Sequence, residues 1–218
     1  MAEKRSVSTV IIGIVVLLFA VFGIVCAVIF GVNKISTLSN HSKQKAEYEK
    51  FLAPVVMNDP DEFDDVSKAD MSQLLEASIW AVLNKDIKPT EYEYSDEGML
   101  IPQKEIEVSF KTLFGDEVKP EHRNAGELFS YDETKKSYIV PITGVMPTYI
   151  PKVYDISKKS NIIYLTVGYL RSQDWETDAD GKMISPEPSK YMKIALENKD
   201  KKYYIMSIKD TDPPEIAK

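Results

Sequence analysis

A chain of 218 residues with 27 basic against 34 acidic side chains and a net charge of −7 lacks the clustered basic surface that phosphate binding needs, so nucleic acid is excluded as a partner. Its single cysteine, Cys26, excludes an internal disulfide, and two histidines with no second cysteine leave no ligand set for a structural zinc. The part of the chain beyond residue 45 is long enough for one domain with its own core.

Residues 1–9 form a short tail carrying Lys4 and Arg5, and residues 10–32 then run without a charged, amide or hydroxyl side chain. At roughly 1.5 Å per helical residue that run spans roughly 30 Å of hydrocarbon. A backbone in lipid must satisfy its own hydrogen bonds, so residues 10–32 are expected to form one transmembrane helix. The run exceeds the length of a signal-peptide apolar core, which favours a retained anchor over a cleaved leader. Basic residues ahead of the helix and a large domain behind it suggest a single-pass signal anchor in the cell membrane, with the domain outside the cytoplasm. Lys34, Lys43, Lys45 and Lys50 argue for the opposite orientation by count, but they are diluted along a polar linker and the start of the domain. Gly23, Ala27 and Gly31 recur every fourth residue and share a helix face. That spacing suits self-association or docking on another membrane helix, although small residues are common in such helices in any case. Cys26 reads as a small buried apolar side chain.

Residues 33–45 are polar and read as a linker. A soluble α+β domain is expected over 46–209, and a loose tail over 210–218. Tyr48, Phe51, Leu52, Val55 and Val56 fall on one helical stripe that Pro54 should end. The acidic stretch 58–65 is placed to favour the N-terminal dipole end of a helix just after it, and Ser67 with Asp70 approximates a capping box. Met71, Leu74, Leu75, Ser78, Ile79, Val82 and Leu83 form the most regular helical stripe, which is core.

Residues 91–101 alternate around Asp96, Glu97 and Gly98 and predict a hairpin. Pro102 then suits the first turn of a helix burying Ile106, Phe110, Leu113 and Phe114, with Gly115 as its stop. Beyond Gly115 the period becomes that of strands. Hairpins are predicted from 129–131 with 138–140, from 150–157 with 161–172, and from 191–197 with 203–209. The segment 162–170 is apolar on both sides and should be central and covered on both faces.

These elements predict helices packed on one face of a curved antiparallel sheet behind an N-terminal transmembrane helix. Over roughly 67–209 their order resembles the NTF2-like cone fold. The resemblance implies a bacterial envelope protein, since membrane-anchored domains of this kind serve as assembly subunits of type IV secretion and conjugation machines. Some cone-fold proteins are enzymes with an acid or base in the pocket.

The sharpest local motif is residues 176–187, ETDADGKMISPE. Glu176, Asp178 and Asp180 stand at positions 1, 3 and 5 of a calcium-loop spacing, Gly181 at 6 and Glu187 at 12, which resembles an EF-hand loop. Ile184 supplies no oxygen at position 9, and Pro186 and Pro188 oppose an exiting helix. The alternative is a solvated hairpin turn, in which Asp and Gly are favoured for backbone reasons. His122 stands in a charged loop and reads as solvated. No Gly-x-Ser-x-Gly, Walker loop or dinucleotide fingerprint is present, and Ser42 to Lys45 lacks the partner motifs of penicillin-binding enzymes. The expectation is therefore a membrane-anchored, non-enzymatic domain that binds or scaffolds a protein partner, without a cofactor unless calcium fills 176–187. The competing classes are an envelope enzyme and a calcium-responsive ectodomain.

Overall fold

The computed structural model describes residues 41–85, 91–142 and 147–214. The apolar run 10–32, with Gly23, Ala27 and Gly31, lies outside them, and among the described residues no helix is long and apolar enough to cross a membrane. The chain divides into two compact units, Met1–Ala46 and Glu47–Lys218, and every element below belongs to the second, except the first residues of α1.

Helix α1 covers residues 41–56, so the last five residues of the expected linker are helical. It buries Tyr48, Leu52, Val55 and Val56. Pro54 has no N–H to give the preceding turn, and the helix stops at 56, where the Asp59 N–H closes onto the Val56 carbonyl at 3.1 Å.

Of the acidic stretch after α1 only Asp65 serves a helical N-terminus, and the residues before it are engaged elsewhere. Phe63 pairs in both directions with Ile208, at 2.9 and 3.0 Å, and Asp59 and Asp64 form ion pairs with Lys190 and Lys209. The Glu62 carboxylate accepts from the Asp210 N–H at 3.0 Å. The stretch thus pins the start of the domain to its last two strands.

Ser67 sits inside a 3-10 turn, Val66–Lys68, that Asp65 caps, and Asp70, not Ser67, caps helix α2 (Met71–Leu83) by accepting from the Ser72 N–H at 2.7 Å. A carboxylate next to the first free N–H groups competes better for them than a hydroxyl a turn earlier. Helix α2 buries Trp80 and Ala77 as well as Leu74, Leu75, Ser78, Ile79 and Val82 of the predicted stripe, with Met71 and Leu83 half-covered at its ends, and its one buried hydroxyl, Ser78, is satisfied by the Leu74 carbonyl at 2.8 Å.

Strands β1 (Glu93–Ser95) and β2 (Gly98–Pro102) form the predicted hairpin. Gly98 is required there, because a Cβ would stand 2.2 Å from the Val140 carbonyl oxygen. Helix α3 (Gln103–Phe114) comes immediately after, burying Ile106, Ser109, Phe110, Leu113 and Phe114, and Gly115 ends it at φ +83°. Then come β3 (Ser130–Asp132), β4 (Ser137–Val140), β5 (Tyr149–Lys159), β6 (Ile162–Arg171), the short pair β7 (Glu176–Thr177) and β8 (Met183–Ile184), β9 (Lys190–Lys199) and β10 (Lys202–Asp210).

The strands do not form one curved sheet. They divide into a small antiparallel sheet, β1-β2-β4-β3, and a large one, β10-β9-β6-β5, with β7 and β8 paired only to each other. The division falls after Val140, because β4 is already bonded on both edges, to β2 and β3. The fold is α+β, with the three helices and both four-stranded sheets sharing one apolar cluster. Strand β6 is interior, as expected. One face buries Ile163, Leu165, Val167 and Tyr169, whereas Ile162, Tyr164 and Thr166 on the other are only half-covered.

Candidate functional site

A recess lies between α1, α3 and the start of β10. It is a groove of about 450 Å³ with walls from Phe51, Val108, Thr112, Tyr203 and Tyr204 and with Lys111 and Lys202 also lining it. Each wall follows from the helical period. Phe51 stands at the edge of the α1 stripe, and Val108 and Thr112, one turn apart, occupy the α3 face opposite Ile106 and Phe110. The floor is aromatic: the Tyr203 ring stands 5.2 Å from Tyr48 and 6.4 Å from Phe51, both edge-on. Val108 is 63% exposed, an unusual position for a branched apolar side chain on an otherwise polar helix face. Tyr204 lies against the end of α3 at Gly115. Lys111 reaches Asp116 at 2.6 Å, and that carboxylate raises its pKa above the ordinary lysine value. Lys111 also lines a second recess of about 360 Å³ with Glu107 and Lys119.

His122 is not solvated. Its side chain is 13% exposed, with Nδ1 2.9 Å from the Tyr138 hydroxyl and Nε2 3.1 Å from Glu107 Oε1. The backbone N–H of Arg123 faces the Tyr138 oxygen. The phenol and Nδ1 share one hydrogen bond, and Nε2 and the Glu107 carboxylate share another, so both ring nitrogens are engaged. The Gln103 amide donates to the same Glu107 oxygen at 3.2 Å and accepts from Tyr131, whose ring stacks on His122 at 5.2 Å. Burial holds the Tyr138 phenol far above its ordinary pKa, and Tyr138 is fully buried. A tyrosine–histidine–carboxylate chain can move protons in principle. Here its phenol is closed to any substrate, and its effect is to tie α3, the 116–128 loop and the small sheet together.

The predicted calcium-loop residues take the hairpin alternative. Asp178 Oδ1 accepts from the N–H groups of Asp180, at 3.0 Å, and Lys182, at 2.8 Å, and the Gly181 N–H closes the turn onto the Asp178 carbonyl at 3.0 Å. Gly181 has φ +80°, the left-handed conformation that the turn needs. Glu176 and Ile184 are register partners in β7 and β8, and Glu187 lies beyond, near Tyr154, whose phenol pKa is raised chiefly by burial, with Tyr191 and Glu187 adding to it. Glu176, Asp178, Asp180 and Glu187 do not converge, and among the described residues no three His, Cys, Asp or Glu side chains are arranged to hold a metal.

Sequence reasoning missed the groove and the His122 network. Both are assembled from distant segments, and the one local sign was Val108 on the polar face of an amphipathic helix. Compared with known protein families and with curated proteins, the sequence matches none.

Proposed function

We propose that this chain is a single-span membrane-anchored protein whose extracytoplasmic α+β domain binds or scaffolds a partner protein and performs no catalysis. The observation that carries this reading is the groove between α1, α3 and β10. It is open along one side and mainly apolar, with ammonium groups at Lys111 and Lys202, which fits a helix or extended segment better than a small substrate. The occupant such a surface selects is a segment of a partner protein with apolar residues for the aromatic floor and a carboxylate for Lys202, Lys111 being paired with Asp116. The order of elements from α2 to β10 is similar to that of the cone-fold assembly subunits, although the strands here divide into two sheets. The alternative, an envelope enzyme, calls for an accessible acid or base in a closed pocket, and the buried Tyr138 phenol favours the binding reading over it.

The test is photo-crosslinking in intact membranes, with a reactive residue at Val108 in the full-length chain and a control at Thr166 on the outer face of the large sheet. A discrete protein adduct is expected from Val108 alone, lost when Tyr203→Ala removes the floor. Identical products from both positions, or none from Val108, would overturn the proposal.

A further inference from the structure

The segment that leaves β10 is acidic and rich in proline, with residues 211–216 reading TDPPEI. The Thr211 N–H donates to the Tyr191 carbonyl at 3.2 Å, which keeps the start of this segment in line with β10. Beyond it Asp212 and Pro213 are exposed and Pro214 is half-buried. A proline fixes its own φ near about −65° and holds the residue before it in extended backbone, so Asp212 to Pro214 is stiff before it meets a partner. A stiff segment loses little conformational freedom on docking, and proline-rich segments are received by grooves lined with aromatic rings.

The groove between α1, α3 and β10 offers that lining in Phe51, Tyr203 and Tyr204. Lys202 at its edge is exposed and, unlike Lys111, forms no ion pair among the described residues, nor does Asp212. The segment supplies prolines for the rings and, on either side of them, the carboxylates of Asp212 and Glu215 for the Lys202 ammonium.

Groove and prolines cannot meet within one chain. The groove lies at the start of β10 and the segment leaves from its end, so Tyr204 and Asp210 are roughly 20 Å apart along the strand. From Asp210 the backbone extends to Pro214 over at most roughly 14 Å, and the Thr211 bond sets it off in the opposite direction.

We propose that the groove of one copy receives residues 212–216 of a second copy, with the prolines against Phe51, Tyr203 and Tyr204 and the flanking carboxylates at Lys202. This rests on the reading of the groove as a protein-binding surface and names its occupant. Each copy carries both halves of the contact, and tethering in a common bilayer raises the concentration of one half for the other.

The test uses the full-length chain in liposomes that hold two forms, one unlabelled with a photo-reactive residue at Val108 and one uniformly labelled with nitrogen-15. Cleavage after Lys209 releases residues 210–218 as one peptide, so its isotope content states which copy was captured. The expected adduct joins Val108 to the labelled 210–218 peptide. Lys202→Glu in the unlabelled copy is expected to lower its yield about tenfold, and Asp212→Lys with Glu215→Lys in the labelled copy to restore it, since reversing both charges recovers the pairing. The proposal fails if the captured peptide is unlabelled or comes from elsewhere in the labelled copy, if Lys202→Glu leaves the yield unchanged, or if the reversed pair does not recover it. Failure in liposomes while Val108 captures a different protein in intact membranes removes this occupant and leaves the groove a binding surface. Capture in neither setting removes both.

Discussion

His122 owes its position to partners 16 and 15 positions away, Tyr138 and Glu107, on elements that no local pattern connects to it. Tyr138→Phe keeps the ring, so the core volume is nearly unchanged, but it leaves Nδ1 without its hydrogen-bond partner. The expected cost is about 1–2 kcal/mol in urea denaturation, the range for a buried hydrogen bond lost from one side. The same residue shows why the sequence misled. A lone histidine among Lys, Pro, Glu and Arg has the composition of a solvated loop, and only the tertiary approach of α3 and β4 turns it inward. Asp70 was nearer to legible, since its role as a helix cap depends on residues immediately beside it.

Elements bounded by local chemistry were readable, and so were the four hairpins of consecutive strands, whereas pairings between strands distant in sequence were not. Pro102 and Gly115 delimit α3 within a residue because one cannot donate and the other adopts φ +83°. The 176–187 segment was ambiguous because calcium loops and tight turns both want Asp and Gly, and its geometry here is that of a tight turn in which one Asp178 oxygen accepts from two backbone amides. Asp178→Ala is therefore expected to speed hydrogen exchange at the Asp180 and Lys182 amides about tenfold, and to shift the global melting temperature by less than about 2 °C, because exposed hairpins open locally. Millimolar calcium should leave the melting temperature of the unaltered chain where it is. A rise that Glu187→Ala abolishes would restore the cation loop.

For the molecule as a whole, the tyrosines set the alkaline limit. Burial, foremost, pushes Tyr92 and Tyr154 up to about 12, and Tyr138 and Tyr169 higher. Their folded-state values lie above the unfolded value of 10.0, so their contribution is intact below pH 10 and is lost as pH rises through the folded values, because the unfolded chain releases these protons first. Melting temperature is expected to fall steeply between about pH 10 and 12. Tyrosinate absorbance at 295 nm should rise in two stages, the second coinciding with unfolding. The division into two sheets was not legible at this scale, because it depends on β2 pairing with β4 across an intervening helix, a choice no turn residue announces.

The antiparallel bridge between Phe63 and Ile208 has a consequence for synthesis. A chain leaving the ribosome from its N-terminus carries the acidic stretch out long before the strand that receives it exists, so Phe63 must wait, uncovered, for nearly the entire domain to be made. Completion of this fold is therefore a late event, and a nascent chain stopped short of β10 presents an aromatic side chain and unpaired backbone to whatever chaperone is at hand.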